Sequence, residues 1–454
     1  MDHLTAAIAE DRQRRLAGGL VARGWGEGDR VAVVAPSSAN LLLTVLAALR
    51  RGIVPVVLNA ALTDGERDAL VADADVVGQL GPAEIAGLAE AAPVDLAPHP
   101  RARPMHYTSG TTGKAKGVWS GVLPDAQAAS LAAEEDELWA FSAGDRHLVC
   151  SPLHHSAPIR FAAGTLLAGG EVIVLEKFTA AAFADAVATH APTSAFMVPA
   201  HLQRLREAGA PPLDSFRLVA HAGAPCPVPL KQWAVDRFPD GSVWEFYGAT
   251  EGQFTACPAE EWVDRPGTPR GTPAGGTHTG GGVGPQRGTG PAPPRPGRRL
   301  SVDEDGTIWC TVPDHARFTY WRDPGATARA WRDDAFTVGD LGRLDADGYL
   351  YLDGRRDDLI ISGGVNVYPL EVEQALHDLD GVEAVAVFGV PDERWGQRVC
   401  AAVVGSATPA EVQARARERL AAYKCPKAVF VVDDLPHTAT GKLRRLDLVD
   451  RFSD

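Results

Sequence analysis

Short apolar segments alternate with helical patterns along the first half of the chain, and this alternation constrains the fold most strongly. The apolar run at 29–36 precedes a helical pattern at 40–52 that a glycine ends, and a second apolar run follows at 54–59. Further runs typical of buried strands lie at 147–153, 171–176, 193–199 and 217–223. Strands that alternate with helices are typical of parallel sheets covered by helices, so we expect a layered α/β architecture.

The composition indicates a folded protein whose main partner is neither nucleic acid nor an anionic membrane. The chain has 454 residues, 45% of them hydrophobic, which is enough for two or three domains with large cores. Its net charge of −14 disfavours polyanionic partners. The six cysteines show no metal-ligand spacing and indicate reduced, mostly buried thiols. No apolar run is long enough to span a membrane, so we expect a cytoplasmic protein.

The stretch 108–117, TSGTTGKAKG, combines three glycines, four hydroxyl side chains and two lysines. Glycines let backbone N–H groups turn toward an anion, and hydroxyls and ammonium groups add hydrogen bonds and positive charge. The stretch is therefore suited to hold a polyphosphate, although a flexible surface turn would have a similar composition. It is not a Walker A loop, because no Gly-Lys-Ser/Thr follows the first glycine at the required spacing.

This stretch resembles the phosphate loop of the adenylate-forming enzymes, which include acyl-CoA synthetases, luciferase-like enzymes and peptide-synthetase adenylation domains. The family loop reads Thr-Ser-Gly-Thr-Thr-Gly-x-Pro-Lys-Gly, and Ala115 stands at its proline. The resemblance runs from about Leu16 to the end of the chain. It implies that ATP or AMP binds to the loop residues Thr108, Ser109, Gly110, Thr111, Thr112, Gly113, Lys114 and Lys116.

The resemblance also implies a domain organisation. We expect a large N-terminal adenylation domain at 1–353, made of layered α/β sheets and a small barrel-like β subdomain. A small mobile α+β domain is expected at 354–454. The stretch 266–297 consists mostly of Gly, Pro and Thr and lacks the apolar residues of a core, which predicts a flexible loop within the first domain.

The motif FYGATE at 246–251 resembles the family's adenine and metal motif. The resemblance implies that Tyr247, followed by Gly248, stacks on the adenine, and that Thr250 binds the α-phosphate region. Glu251 would bind Mg²⁺, and a carboxylate suits this ion because it prefers hard oxygen ligands. The alternative interpretation is a turn with an exposed glutamate.

The stretch AHAGAPCP at 220–227 resembles the adjoining family loop that lines the nucleotide and acyl pockets. This implies nucleotide contacts from Gly223, Ala224 and Pro225. The small residues Ala222, Gly223, Ala224 and Gly248 would leave an apolar slot for a medium-chain or aromatic acid. No basic residue is evident for a second carboxylate.

The stretch 337–358 resembles the family's ribose motif and domain hinge. Asp340 would accept hydrogen bonds from the ribose hydroxyls, Arg355 would reach the nucleotide, and Asp357 would be the hinge. A β-hairpin explains the turn residues at 345–348 but not Asp340 or Arg355. Near the C-terminus, TATGKLRR resembles the loop that carries the catalytic lysine, so Lys442 would stabilise charge in the transition state of adenylation.

Two further segments indicate the acid and the acyl acceptor. His155, in SPLHHSAP, matches a family residue that gates the carboxylate, although a structural histidine is an alternative. The segment has no aspartate to pair an ammonium group, which disfavours a free amino acid as substrate. The stretch 361–373, ISGGVNVYPLEVE, resembles acyl- and aryl-CoA synthetases, which implies that Gly363 and Gly364 line a CoA tunnel.

These motifs together predict an ATP- and Mg²⁺-dependent acid–CoA ligase. An acid would first become an acyl-AMP, and CoA would then displace AMP after the C-terminal domain rotates. An adenylating enzyme that passes the acyl group to an amine or carrier protein is one alternative. A non-catalytic nucleotide-binding relative is another, which the retained Lys442, Glu251 and Asp340 disfavour. The oligomeric state stays open.

Overall fold

The computed structural model describes residues 1–108, 115–224, 226–263, 272–273, 299–304, 306–345, 348–355, 358–362, 365–392, 395–437 and 443–453. The chain divides into two compact units. The first comprises Met1–Leu300, Cys310–Phe336 and Ala346–Tyr349, and the second comprises Ser301–Trp309, Thr337–Asp345 and Leu350–Asp454. The predicted domain boundary at 354 stays a prediction.

In chain order, the first helices and strands are β1 (Asp2–Thr5), α1 (Ala6–Ala22), β2 (Arg30–Val34), α2 (Ala39–Leu49), β3 (Val54–Leu58), α3 (Asp64–Ala74), β4 (Gly78–Leu80), α4 (Pro82–Leu88), β5 (His106–Thr108), β6 (Lys116–Trp119), α5 (Asp125–Trp139), β7 (Arg146–Val149) and α6 (Ser156–Leu167). The next are β8 (Glu171–Val174), α7 (Ala180–His190), β9 (Ser194–Met197), α8 (Pro199–Ala208), β10 (Leu218–His221), α9 (Val228–Arg237), β11 (Val243–Gly248), β12 (Gln253–Pro258), α10 (Ala259–Val263), β13 (Thr272–Pro273), β14 (Arg299–Val302), β15 (Ile308–Thr311), a 3₁₀ helix (Asp314–Ala316), β16 (Thr319–Tyr320), α11 (Pro324–Ala330), β17 (Trp331–Arg332) and β18 (Ala335–Phe336). The last are β19 (Asp340–Leu344), β20 (Leu350–Arg355), β21 (Ile360–Ser362), β22 (Val365–Val367), α12 (Pro369–His377), β23 (Val382–Asp392), β24 (Gly396–Gly405), α13 (Pro409–Arg419), β25 (Ala428–Val431) and α14 (Arg445–Phe452).

The largest sheet of the first unit has the strand order β1-β8-β7-β9-β10-β11-β12-β13. Its five central strands, β8, β7, β9, β10 and β11, pair in parallel. On either side of these five, β1 and β12 pair antiparallel with β8 and β11. Strands β9 and β10 are buried along their whole length, as expected for parallel strands covered on both faces. The sheet confirms the layered α/β architecture predicted from the alternating pattern.

A second parallel sheet, β3-β2-β4, packs with α1 and α2 around a hydrophobic core that also includes Val149 and Val172 of the large sheet. Both helices begin at residues that cap them, because the hydroxyls of Thr5 and Ser38 accept hydrogen bonds from the backbone of Ile8 and Leu41. Helix α2 is buried along nearly its entire length, since its sequence is apolar on every side. This layer supplies one wall of the cavity described below.

A short antiparallel sheet, β16-β6-β5, carries the two flanks of the predicted phosphate loop. In β5 and β6 Thr108 pairs with Lys116, and on the other side of β6 Tyr320 pairs with Val118. The loop residues 109–114 lie outside the described residues. In the same unit, Cys310 of β15 pairs with Phe336 of β18, and Phe336 also pairs with Trp331 of β17.

The second unit is built on the long antiparallel pair β23 and β24, with β21 and β25 beside β24. Helices α12 and α13 pack against this sheet around a core that includes Val372, Val399 and Val412. Thr408 and Glu411 form a reciprocal capping box at the start of α13. The helix ends at Arg419, because the backbone becomes extended at Leu420 (φ −127°, ψ 151°), whose amide makes the last helical hydrogen bond to the Ala416 oxygen.

Of the predicted flexible stretch 266–297, only 272–273 is described, as strand β13, and the rest lies outside the described residues. All six cysteines are buried and free, in agreement with the prediction of reduced thiols. Within the described parts of the chain, no helix combines the length and apolar character needed to cross a membrane.

Candidate active site

The base of the predicted phosphate loop is held by close packing. Gly117, at the loop's exit, has no room for a side chain, because a Cβ would lie 2.3 Å from the Met105 side chain and 3.3 Å from Trp321. The Tyr107 hydroxyl donates a hydrogen bond of 2.7 Å to the carboxylate of Asp73. The Trp321 indole donates to the backbone oxygen of the same aspartate at 2.9 Å. Tyr107, at the entry of the loop, and Trp321, whose amide bonds the Gly117 oxygen at its exit, are therefore both anchored to Asp73.

Lys116 and Glu251, which are distant in sequence, are brought together by Tyr320. The Tyr320 hydroxyl donates a hydrogen bond of 2.8 Å to a carboxylate oxygen of Glu251. The Lys116 ammonium lies 5.3 Å from the centroid of the Tyr320 ring, in a cation–π contact. Sequence reasoning missed Tyr320, because it lies in a two-residue strand whose partner is known only from the fold.

Thr250 and Glu251 lie at the tip of a tight turn between β11 and β12. The turn is closed by a hydrogen bond from the Ala249 amide to the Gly252 oxygen at 2.8 Å. A Cβ on Gly248 would lie 3.0 Å from the same oxygen, so the turn favours glycine there. Glu251 is only 5% exposed, so the alternative interpretation of an exposed glutamate is wrong although the turn itself exists.

Tyr247 and Gly223, two predicted nucleotide contacts, end neighbouring strands of the large sheet. Tyr247 is buried, and its ring stacks on Phe254 with 4.6 Å between the centroids. Gly223 and Ala224 follow β10 and are exposed, and Gly223 has a φ of +90°, which favours glycine. Pro225 lies outside the described residues. The adenine and pocket contacts of these residues stay predictions.

His155 stands immediately before α6, at the end of the segment that matches the family's acid gate. Its ring centroid lies 4.3 Å from that of His154. Burial lowers the pKa of His154 to about 4, so this ring is neutral at pH 7. The two rings are tilted by 46° to one another, so they make an edge contact rather than a parallel stack.

In the second unit, the hairpin of β19 and β20 places Asp340 opposite Arg355 in the backbone register. Asp340 is only 7% exposed. The side chain of Arg355 and the residues Asp357, Gly363, Gly364 and Lys442 lie outside the described residues. Their flanks are paired: Ser362 with Val365 around the two glycines, and His437 with Leu443 around the segment of Lys442.

A cavity of about 490 Å³ lies in the first unit between α5 and α6 and extends to Thr250. Its walls are mostly hydrocarbon, from α2, α5 and α6, as at Leu46, Ala132, Ile159 and Ala163. Of the four small residues of the predicted slot, Ala222 lies in a buried aromatic cluster with Phe161 and Phe246, and none of the four lines this cavity. The cavity therefore lies along a different face of α6 from the predicted slot.

Two arginines, Arg103 and Arg160, line this cavity. Neither of them was identified as a site residue from the sequence. Arg160 donates a hydrogen bond of 2.8 Å to the amide oxygen of Gln253 and lies 3.7 Å from the carboxylate of Glu135. Its charge is thus partly balanced within the wall. Helical spacing from Ser156 could have indicated that Arg160 shares the face of Ile159 and Ala163, but not which element the face contacts.

Comparison with known proteins identifies the family. The family model for AMP-binding enzymes matches residues 2–103 and 81–279, and the model for the C-terminal domain of AMP-binding enzymes matches residues 371–442. The chain belongs to the AMP-binding enzyme family. This membership confirms the predicted resemblance to adenylate-forming enzymes and the presence of a separate C-terminal domain.

Among curated relatives, a feruloyl-CoA synthase from Amycolatopsis sp is 35% identical, covering 99% of this chain and 94% of the relative. An indoleacetate–CoA ligase from Aromatoleum aromaticum is 32% identical, covering 96% of this chain and 90% of the relative. These relatives confirm the predicted enzyme class, an AMP-forming acid–CoA ligase.

Two solved structures share the fold across nearly the whole chain. O-succinylbenzoate coenzyme A synthetase from Bacillus subtilis, in complex with ATP and a magnesium ion, has a TM-score of 0.82 at 26% identity, covering 97% of this chain and 94% of the other. The amide bond synthetase McbA from Marinactinospora thermotolerans has a TM-score of 0.82 at 25% identity, covering 99% of this chain and 95% of the other. The first supports the predicted use of ATP and Mg²⁺, and the second represents the alternative acyl acceptor.

Proposed function

We propose that this protein activates an aromatic carboxylic acid with ATP and transfers the acyl group to CoA. The observation that supports this most directly is the apolar cavity that extends to Thr250, at the turn where the acid and the α-phosphate would meet. Its volume of about 490 Å³ suits an acid with one or two rings. The names of the curated relatives, which act on ferulate and indoleacetate, support an aromatic rather than an aliphatic acid.

Glu251 fits the role of a Mg²⁺ ligand. It is a hard oxygen donor that is almost fully buried, and its hydrogen bond comes from the neutral Tyr320 hydroxyl. No cation within ion-pair distance neutralises it in the described part of the chain. When bound, Mg²⁺ would balance the charge of the ATP phosphates.

The remaining residues act by binding and orienting the two anions. The loop from Thr108 to Lys116 holds the phosphates, while Thr250 contacts the α-phosphate and His155, which precedes the cavity-lining Ser156, orients the carboxylate. Lys442 donates to the oxygens that gain charge as the acid attacks the α-phosphorus and pyrophosphate leaves. Removing one such donor typically costs about 10²–10³ in rate.

The second half-reaction uses the C-terminal domain at 354–454. Asp340 and Arg355 hold the ribose and the nucleotide, and rotation about Asp357 withdraws Lys442. Gly363 and Gly364 then allow the pantetheine arm to approach the backbone, and the CoA thiolate attacks the acyl carbon as AMP leaves. We place this reaction in the cytoplasm, in agreement with the prediction from the sequence.

The experiment is AMP and pyrophosphate release across a panel of aliphatic and aromatic acids, each with and without CoA. We expect AMP release that requires both an aromatic acid and CoA. Adenylate that hydroxylamine traps, and that turns over with an amine but not with CoA, would establish the amide-forming alternative. ATP binding without adenylate formation from any acid would contradict the proposal altogether.

A further inference from the structure

The cavity follows one face of α6 along the whole helix, a length of about 18 Å. The residues of this face recur at the helical period and are Ser156, Ile159, Arg160, Ala163, Gly164 and Leu167. Arg160 bonds Gln253, in the strand that follows the Thr250 turn, so this part of α6 lies at the carboxylate end of the cavity. One helical turn farther along, Phe141 covers the helix at Gly164.

Phe141 packs directly on Gly164. A Cβ on Gly164 would lie 2.2 Å from the Phe141 ring, so α6 has no room for a side chain beneath that ring. The ring also makes an edge contact with Phe161, with 6.1 Å between the centroids and 84° between the planes. Phe141 is only partly buried, and it lines the cavity. The ring therefore rests on the core on one side and limits the space for the acid on the other.

The backbone of Phe141 is held by both of its neighbours in the chain. Ala140, which ends α5 in the left-handed conformation with a φ of +48°, accepts a hydrogen bond of 2.9 Å from Arg217 at its backbone oxygen. The amide of Ser142 donates to the carboxylate of Asp145 at 2.8 Å. Asp145 is 1% exposed and accepts a hydrogen bond of 2.6 Å from the same Arg217. One ion pair thus anchors both sides of Phe141, which makes its ring a fixed wall.

We propose that Phe141 is a specificity-determining residue that limits the width of the acid one helical turn beyond its carboxylate end. The inference rests on the proposed function, because it concerns the acid that occupies the same cavity. A ring of single width packs beside the Phe141 ring, which is a favourable aromatic contact. A wider ring must displace Phe141, and the anchored backbone opposes this displacement. Gly164 contributes to the same limit, because it lets the Phe141 ring lie close to α6.

The test compares kcat/KM for cinnamic acid and for its 1-naphthyl analogue, whose second ring lies beside the first, in wild type and Phe141→Ala. Both acids share the carboxylate and ATP, so the ratio of the two values isolates the distal part of the cavity. We expect wild type to disfavour the naphthyl acid by about 10-fold, and Phe141→Ala to raise its relative kcat/KM by about 10–100-fold. Phe238→Ala is the matched control. Phe238 is 3% exposed in a different core cluster of the same unit, so its loss should lower stability without changing the ratio.

Gly164→Ala tests the same contact in the opposite direction. The added methyl group presses on the Phe141 ring, so we expect the KM for cinnamic acid to rise about 10-fold. The double variant Gly164→Ala/Phe141→Ala has room for the methyl group and should lose this rise. A rise that is equal with and without Phe141 would show that the contact does not limit the acid, and would overturn the inference.

Two further results would overturn the inference while leaving the proposed function intact. One is equal turnover of the two acids by wild type, and the other is a ratio that Phe141→Ala leaves unchanged. No adenylate from either acid, with ATP still bound, would instead overturn the proposed function and the inference with it. If Phe141→Ala does not fold, Phe141→Leu replaces it. This smaller apolar side chain should shift the ratio in the same direction, and an unchanged ratio would again contradict the inference.

Discussion

Two buried glutamates, on β11 and on the turn that follows it, are stabilised in opposite ways. Glu245 is 1% exposed and binds the ammonium of Lys231 at 2.5 Å, with that ammonium 4.3 Å from the centroid of the Trp262 ring. Glu251 is 5% exposed and accepts a hydrogen bond from the neutral hydroxyl of Tyr320. The first carboxylate is paired with a buried cation, whereas the described residues place no cation within ion-pair distance of the second.

The difference separates a structural charge from a functional one. Lys231 is fully buried, so its pairing with Glu245 cannot respond to a ligand from solvent. A carboxylate held by a neutral donor is positioned without being neutralised, which suits a group that must bind a cation when ATP arrives. Burial alone therefore does not identify an active-site carboxylate, and the identity of its partner is the more informative property.

The largest expected effect concerns the balanced pair. Lys231→Met should lower the free energy of unfolding of the first unit by about 3–5 kcal/mol, because Glu245 stays buried without its cation. Urea unfolding followed by tryptophan fluorescence measures this. The double variant Lys231→Met/Glu245→Leu should recover most of the loss, since an apolar pair of similar volume is tolerated. A single variant as stable as wild type would show that the pair is not a structural requirement.

Glu251→Gln should have the opposite pattern of effects. The free energy of unfolding should change little, and the rate of adenylation should fall strongly. We expect acyl-AMP formation to slow by about 10²–10³, because the amide keeps the size of the side chain but not its charge. Pyrophosphate release at saturating ATP measures the loss. Glu137→Gln, the same change at an exposed position on α5, is the control and should match wild type. A Glu251→Gln variant that releases pyrophosphate at the wild-type rate would contradict the contrast between a structural Glu245 and a functional Glu251.

The sequence singled out Glu251 but neither its partner nor the Glu245–Lys231 pair. The FYGATE motif, which is local, predicted Glu251 as a Mg²⁺ ligand. Tyr320 was missed, since its contact with Glu251 requires the β16–β6 pairing. Arg160 and Phe141 were missed for the same reason, because each faces a cavity whose walls come from segments far apart in the chain.

A buried histidine, like the buried glutamates, makes the stability of the fold depend on how its charge is treated, here as a function of pH. His147 hydrogen-bonds the Ser194 hydroxyl, and burial, with a smaller contribution from Arg217, lowers its pKa to about 3, although Asp145 opposes the shift. As the pH falls through about 6.5, the His147 imidazole binds a proton in the unfolded chain but stays neutral in the folded chain. The stability that the neutral His147 contributes is therefore fully present above pH 6.5 and is lost as the pH falls toward 3.

The expected contribution of His147 is about 1.4 kcal/mol per pH unit across that window. His147→Asn, which can keep the hydrogen bond to Ser194 but does not titrate there, should reduce the pH dependence of the unfolding free energy by about one proton. Urea unfolding at several pH values between 4 and 7 measures the slope. An unchanged slope would mean that other groups account for the acid sensitivity.

The smallest expected effect tests how Glu251 is positioned. Tyr320→Phe removes one hydrogen bond to a charged group, which is worth about 1.5–3 kcal/mol, without changing the charge of Glu251. We expect adenylation to slow by about 10-fold, and the Mg²⁺ concentration for half-maximal rate to rise, because the carboxylate is free to rotate away from the metal. Restoration of most of the rate at high Mg²⁺ would distinguish positioning from a general loss of structure.

The chain offers a matched control for this change. The Tyr349 hydroxyl donates a hydrogen bond of the same length, 2.8 Å, to the carboxylate of Glu261, outside the candidate site. Tyr349→Phe therefore removes an equivalent phenol–carboxylate bond, and it should leave the Mg²⁺ dependence unchanged. If both variants raise the Mg²⁺ requirement equally, the effect belongs to the stability of the first unit. If only Tyr320→Phe raises the Mg²⁺ requirement, the neutral hydroxyl of Tyr320 positions Glu251 for the metal. A neutral positioning partner then distinguishes Glu251 from Glu245, whose partner is a charged lysine.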